Sequence, residues 1–307
     1  GSHRPGMERA GATAAELTSS ERLALAGLLG FAASLRWLMW SRAVTLFNDG
    51  PEFLLIAKWA AAGDAGAVLA HPYHPLYSLA IAGVHALGFE WESAGALVGV
   101  AGGTAAVGFL FLFLRDAFGA PAAWVGAGLL AVHSRAVEYS SDVQSDGLYL
   151  GLFLAGVWFG WRAWTRRSSS SAAAAGLASG LAYLTRPEGV GLAGILVMLV
   201  GLEWLRGNWR GAQALRVAGG VAIAAALCVV PYVFALQQHS GAWELTHKKS
   251  VSQFTGAAPR AADVAAPPPI PASAPAPSPL HAAIPPSLAA ARAVLDRGDD
   301  GLAVERA

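Results

Sequence analysis

The stretch NDGPEFLLIAKWAAAGDAGAVLAHPYHPLY, residues 48–77, places carboxylates and histidines directly beside short apolar segments. It opens with Asp49 and Glu52 and closes on His71 and His74, and both histidines precede a proline. Ionisable side chains next to a bilayer are costly unless they pair with each other or act on a substrate. We therefore predict that this stretch carries the functional surface of a membrane protein.

The composition is that of an integral membrane protein. Hydrophobic residues make up 55% of the 307 positions and charged residues only 13%, whereas a soluble domain carries about a quarter charged residues. The formal net charge of +1 gives no reason to expect a nucleic-acid partner. The single cysteine, Cys228, lies in an apolar run, which excludes an internal disulfide and gives no sign of a thiolate metal site.

Seven apolar segments are predicted to cross the membrane, because most of them approach the ~20 residues that a span needs. They are residues 23–40, 94–114, 120–133, 147–164, 172–184, 189–205 and 214–236. The first segment also resembles a secretory signal with a small-residue cleavage site at 32–34. We favour an uncleaved span there, because so many further spans follow.

Two further apolar segments are predicted to lie in the membrane interface. Residues 51–62 form a short helix with Pro51 in its first turn and a glycine after its end, and residues 76–89 are also too short to cross. If 76–89 does not cross, the arginine-bearing loops lie on the side of the basic N-terminus, in agreement with the positive-inside rule. We therefore predict a cytoplasmic N-terminus and a polar surface that faces outward.

The predicted fold class is an all-α polytopic transmembrane bundle of about seven spans, with interfacial helices in the first outer loop. Residues 1–22 form a cytoplasmic segment whose first three residues look like a cloning scar. Residues 23–256 form the membrane module. Residues 257–307 are rich in alanine and proline and are predicted to be a disordered tail without a packed core.

The polar residues of the first outer loop have structural interpretations as well as functional ones. Asp49 and Glu52 flank the start of the interfacial helix, where carboxylates often serve only as caps or helix-dipole partners. His71 and His74 are three residues apart and suit a divalent metal such as zinc, although no third ligand has diagnostic spacing. A metal cofactor is therefore left open.

Two later segments add charges to the same side. If the helix that begins at residue 120 continues, Glu138 and Asp142 share one of its faces, and Asp146 begins the next helix. Arg186 follows a thirteen-residue apolar run, where a cation is costly unless it meets an anion. Glu188 is the nearest candidate in the sequence, and a lipid phosphate is the alternative.

The order of these motifs resembles the GT-C membrane glycosyltransferases, in particular bacterial relatives of protein O-mannosyltransferases and of the lipid A aminoarabinose transferase. The matching segments are residues 49–52, 63–64, 71–77, 142–146, 184–189 and 241–248. The resemblance implies a transferase of the bacterial inner membrane that takes a sugar from a polyprenyl-phosphate-linked donor on the outer side. Two features depart from the family pattern: Gly50 and Pro51 stand where members often carry an acidic neighbour, and a proline-rich tail replaces further spans or an outer soluble domain.

Such a reaction needs one carboxylate and one or more cations. A polyprenyl phosphate leaves as a stable anion without a general acid, so the site has to take a proton from the acceptor and hold the departing phosphate. We predict that Asp49 is the base, with Glu52 as the second candidate and Asp142 or Asp146 as the fallback. The predicted phosphate-binding residues are Arg186, Lys248, Lys249 and His74, and the remaining polar residues of the predicted site are His71, Asp142, Asp146 and Glu188.

Two other classes of function also fit the sequence. A transporter or flippase carries ionisable groups along its substrate pathway, but here they gather at one surface and Arg36 is the exception within the spans. A non-catalytic subunit with membrane-protein partners is the other class. Transfer of a labelled donor by the purified protein separates the enzyme from both. In each case membrane lipids are expected partners.

Overall fold

A computed structural model describes residues 17–246, and within that range every regular element is helical. This confirms the predicted all-α class, whereas Lys248, Lys249 and the tail at 257–307 lie outside the described residues. The helices are α1 (Ser19–Ser41), α2 (Gly50–Ala61), α3 (Ala65–Ala70), α4 (Leu76–His85), α5 (Trp91–Phe118), α6 (Ala120–Val132), α7 (Ser134–Ser140), α8 (Asp146–Arg166), α9 (Ser169–Thr185), α10 (Val190–Leu205) and α11 (Gly211–Ser240). A 3-10 turn at Pro187–Gly189 precedes α10.

Four segments of the described range are long and apolar enough to cross a membrane: Ser19–Ser41, Trp91–Phe118, Pro187–Leu205 and Gly211–Ser240. Helices α6, α8 and α9 are not among these four segments. At about 1.5 Å per residue, α8 is ~32 Å long, α9 ~26 Å and α6 only ~20 Å, and the hydrocarbon core of a bilayer is about 30 Å thick. The structure therefore supports four of the seven predicted spans by length and composition, and the other three stay a prediction.

The long helices pack side by side, and the neighbours α5 and α8 run parallel, as do α9 and α11. α5 contacts α1, α6, α4 and α8; α8 contacts α9, and α9 contacts α11, against which α10 also packs. At one end of the bundle, along the helix axes, Arg186 follows α9 and meets Asp146 at the start of α8, with 2.9 Å between nitrogen and oxygen. At the other end Arg115 of α5 lies 3.4 Å from Glu21 of α1. We call these the site end and the opposite end, and they separate the two sets of charges that the sequence predicts on opposite sides.

The short helices α2 and α4 pack together against the start of α5. α2 begins at Gly50-Pro51, where proline fixes the backbone for a first helical turn. Phe53 of α2 and Ile81 of α4 are buried together with Val143, which follows α7. The predicted segment 76–89 is helical only to His85, so it is shorter still than the sequence suggested and does not reach across a bilayer.

The helix that begins at residue 120 ends at Val132, close to the predicted end at residue 133, and does not continue to Asp142. The helix breaks at His133, whose ring nitrogen Nδ1 accepts the Ala136 backbone N–H at 3.2 Å and so caps α7. The break leaves carbonyls at the end of α6 without helical partners. Arg36 of α1, fully buried, donates to one of them, that of Ala131, at 3.3 Å, and to the Ser140 hydroxyl at 2.8 Å. The one charge inside the first span therefore stabilises the break.

A close contact between two long helices joins α5 and α8. A methyl carbon built onto Gly102 would lie 2.5 Å from the Leu148 Cα, and one built onto Gly151 would lie 2.6 Å from the Gly102 carbonyl oxygen. Small residues at such positions let two backbones approach closely, which is a principal source of helix association in lipid. Any larger side chain would push the two helices apart.

We expect Gly102→Ala to lower the thermal unfolding midpoint of the protein in detergent, because its methyl group meets backbone atoms that cannot move aside. Overpacking of this kind costs about 1–3 kcal/mol. Gly108→Ala is the matched control on the same helix, since a methyl carbon there lies at an ordinary 3.6 Å from Leu29, and alanine favours a helix over glycine. Equal midpoints for the two variants would contradict a tight α5–α8 contact.

Candidate active site

Asp49 lies between α1 and α2, at the site end of the bundle. It precedes the first residue of α2, but its side chain makes no capping hydrogen bond, so the interpretation of Asp49 as a helix cap is wrong. Its carboxylate accepts hydrogen bonds from the Tyr73 hydroxyl and, at 3.4 Å, from the Asn48 side-chain amide. Within residues 17–246 Asp49 has no ion-pair partner, so its charge is held only by neutral donors.

Tyr73 is the residue that brings the predicted site together, and sequence reasoning missed it. The pKa of Tyr73 is raised to about 12. Burial is the largest cause, followed by the charge and hydrogen bond of Asp49 and then the charge of Glu52, while the charge of Arg186 acts in the opposite direction. Its hydroxyl therefore lies within electrostatic reach of all three charges. Because a raised pKa keeps the phenol neutral below about pH 10, Tyr73 donates to Asp49 at physiological pH. In the sequence, the position of Tyr73 between two His-Pro pairs was the signal that could have identified it as a site residue.

Glu52 is paired with His71, at 3.1 Å between Oε2 and Nε2. The other ring nitrogen, Nδ1, accepts the backbone N–H of Tyr73 at 3.2 Å. In the neutral ring the proton therefore lies on Nε2, from which it is donated to Glu52. The pair fastens α2 to the turn at 71–75.

Arg186 leaves the end of α9 in an extended conformation and reaches the start of α8. Its Nη1 pairs with Asp146 at 2.9 Å, its Nε donates to the Ser145 hydroxyl at 3.3 Å, and its guanidinium carbon lies 5.9 Å from the centre of the Tyr149 ring. Glu188, the nearest candidate in the sequence, is exposed, and the carboxylate that Arg186 meets is that of Asp146 at the start of α8. The guanidinium is about a third exposed, so its remaining N–H groups can reach a ligand.

Asp142 has a structural task at this end. Its Oδ2 accepts the backbone N–H of Phe47 at 3.0 Å and its Oδ1 accepts that of Val143 at 2.6 Å. One carboxylate thus holds the loop before Asp49 against the segment before α8. Glu138 would share a helix face with Asp142 only if the helix continued, but α7 ends at Ser140 and Glu138 pairs with Arg135 at 2.9 Å on the surface.

His74 is 2% exposed and packs against two tyrosines, with 4.9 Å between its ring centre and that of Tyr183 and 5.2 Å to that of Tyr232. It connects the turn at 71–75 to α9 and α11. The Tyr183 hydroxyl donates to the Leu245 carbonyl at 2.6 Å, so the chain after α11 stays at the site end. In the part of the chain that the structure describes, no three His, Cys, Asp or Glu side chains form a group that could hold a metal.

The structure therefore gathers half of the predicted site residues, together with Tyr73, into one group, which we call the polar cluster. It consists of Asp49, Glu52, His71, Tyr73, Asp146 and Arg186. The cluster combines a carboxylate without an ion pair and a partly exposed guanidinium, and the neutral tyrosine lies within electrostatic reach of both. Such an arrangement can accept a proton at one point and hold an anion at another.

A comparison with protein families finds one that matches the chain. The family model of dolichyl-phosphate-mannose-protein mannosyltransferases matches residues 70–234, just over half of the chain. The match includes the turn at 71–75 together with Asp146 and Arg186, and it begins after Asp49 and Glu52. A search of curated proteins finds no match to the sequence.

We expect Asp142→Ala to loosen the loop that carries Asp49, because the backbone N–H groups of Phe47 and Val143 lose their acceptor. Hydrogen–deuterium exchange of the peptide at 42–49 should speed up, while exchange in α8 stays slow. Asp142→Asn keeps one side-chain oxygen and should preserve part of the protection. Unchanged exchange at 42–49 in the alanine variant would mean that this contact does not hold the loop.

Proposed function

This chain belongs to the dolichyl-phosphate-mannose-protein mannosyltransferase family and is a membrane glycosyltransferase, and from that premise we propose that its donor is a polyprenyl-phosphate-linked sugar. The acceptor lies on the outer side of a bacterial inner membrane, where no nucleotide sugar is supplied. The observation that carries the proposal is the polar cluster, in which Asp49 and Arg186 lie close to one tyrosine. The cluster lies at the end of apolar helices, where a lipid-borne donor can enter from the bilayer.

Asp49 acts as the base. The acceptor hydroxyl attacks the anomeric carbon, the bond from this carbon to the phosphate oxygen breaks, and the hydroxyl proton passes to the carboxylate. A single displacement of this kind inverts the anomeric configuration. A carboxylate is a weak base, so it takes the proton late, as the attacking oxygen becomes acidic. The Tyr73 hydrogen bond fixes the direction of the carboxylate without neutralising it.

Arg186 holds the phosphate of the donor. A guanidinium can grip two phosphate oxygens through parallel N–H groups, and here only Nη1 and Nε are bonded within the described residues. Before the donor binds, Asp146 keeps the side chain in place. The donor phosphate then competes with Asp146 for the same cation, and in the empty site the ion pair keeps the guanidinium paired.

Lys248 and Lys249 remain the predicted further cations for the phosphate. They lie outside the described residues, but they follow Leu245, whose carbonyl oxygen is bonded to Tyr183 at the site end. His74 is reassigned by its packing between tyrosines. We propose that it supports the turn that carries Tyr73, and does not contact the phosphate.

Asp49→Asn should reduce turnover about a hundredfold or more, the usual scale for loss of a general base. Asparagine keeps the shape and one oxygen acceptor but has no charge, so donor binding should survive. The measurement is the transfer rate and the donor affinity of one purified preparation in lipid nanodiscs. Glu52→Gln is the control, because Glu52 is paired with His71; loss of turnover there, with normal turnover in Asp49→Asn, would reverse the two roles.

Arg186→Lys should weaken donor binding about tenfold or more, since an ammonium cannot reproduce two parallel hydrogen bonds to phosphate. Asp146→Asn separates this role from a structural one. It removes the resting partner of Arg186, so donor affinity should stay equal or rise if the guanidinium binds phosphate. If both variants lower donor affinity alike, the ion pair itself is what the site requires. The measurement is equilibrium binding of a labelled polyprenyl-phosphate sugar.

A further inference from the structure

Two turns at the opposite end of the bundle are fastened to each other by one arginine. Arg167, between α8 and α9, has a left-handed backbone with φ 53°, a conformation that is uncommon for a residue with a side chain. Its guanidinium donates to the Gln213 side chain at 3.3 Å and to the Asn208 carbonyl at 3.2 Å, and it lies 5.4 Å from the centre of the Trp209 ring. The turn before α9 and the turn before α11 therefore form one continuous surface.

This surface carries positive charge that no carboxylate of the described residues balances. Arg166, Arg210 and Arg216 are exposed, and none of them has an ion-pair partner within residues 17–246. The nearby Glu203 is already bonded to Arg206 and Asn208. Arg216 follows Gln213 by three residues and thus lies on the same face of α11 as the contact with Arg167.

Apolar side chains border the same surface. Trp204 is 52% exposed, Leu205 74% and Leu215 75%. They lie at the facing ends of Pro187–Leu205 and Gly211–Ser240, two of the segments that are long and apolar enough to cross a membrane. An arginine group next to an exposed tryptophan at the end of a span lies at the depth of lipid headgroups.

We propose that Arg166, Arg210 and Arg216, which we call the arginine platform, bind the phosphate of an anionic phospholipid headgroup. The guanidinium groups supply charge and hydrogen bonds to the phosphate, while the bordering apolar side chains contact the acyl chains. A soluble polyanion such as RNA would meet the same charges, but it would leave the exposed leucines without a partner. This binding site is separate from the polar cluster and does not depend on the proposed transferase reaction.

The test compares lipid binding to the purified full-length chain by native mass spectrometry, with phosphatidylglycerol and phosphatidylcholine as probes. Phosphatidylglycerol should bind more tightly, and Arg210→Gln/Arg216→Gln should lower its affinity about tenfold or more, since each basic residue contributes measurably to anionic lipid binding. The affinity for phosphatidylcholine should not change. Arg210→Lys/Arg216→Lys keeps both charges and should retain most of the affinity.

Arg42→Gln/Arg135→Gln is the matched control, because it removes two exposed arginines from the site end. It should leave phosphatidylglycerol binding as it is. An equal loss in this control, or equal binding of the two lipids, would overturn the proposal. Displacement of phosphatidylglycerol by inorganic phosphate or by a short RNA at comparable concentration would also overturn it, because the platform would then bind a soluble anion.

Discussion

The close contact of α5 with α8 is the constraint on which the rest of the structure depends. Glycines at 102, 147 and 151 allow the two backbones to approach to distances at which a methyl group does not fit. Apolar side chains gain little by leaving lipid for one another, so close backbone packing matters more in a membrane than in water. The contact fixes the first turn of α8, and with it Asp146, beside the start of α5.

The proposed site is built outward from that first turn. Asp146 holds Arg186 at the end of α9, and Asp142, just before α8, holds the loop that leads to Asp49. One helix start therefore positions both the cation for the phosphate and the base. Tyr73 completes the arrangement from the proline-bounded turn, and it leaves the charge of Asp49 available for a proton because its hydroxyl is neutral.

The two ends of the bundle differ in how their charges are used. At the site end, acidic and basic side chains pair with each other around Tyr73, which keeps them ordered in the absence of a ligand. At the opposite end, arginines outnumber their carboxylate partners among the described residues, and Arg167 uses its side chain to join two turns. The proposed substrate site and the proposed lipid-binding surface therefore differ in how many of their charges are paired within the protein.

The sequence by itself determined the helical class, the division of charges between two ends and the identity of Asp49 and Arg186 as candidates. These follow from residue type and local spacing, because apolar runs form helices and charges avoid lipid. Only the tertiary structure decided that Arg186 pairs with Asp146 and not with its neighbour Glu188, that Tyr73 reaches Asp49, and that the helix after residue 120 breaks at His133 over Arg36. Each of these depends on which helices pack together, and the partners of a side chain across such a contact are not encoded by its neighbours in the chain.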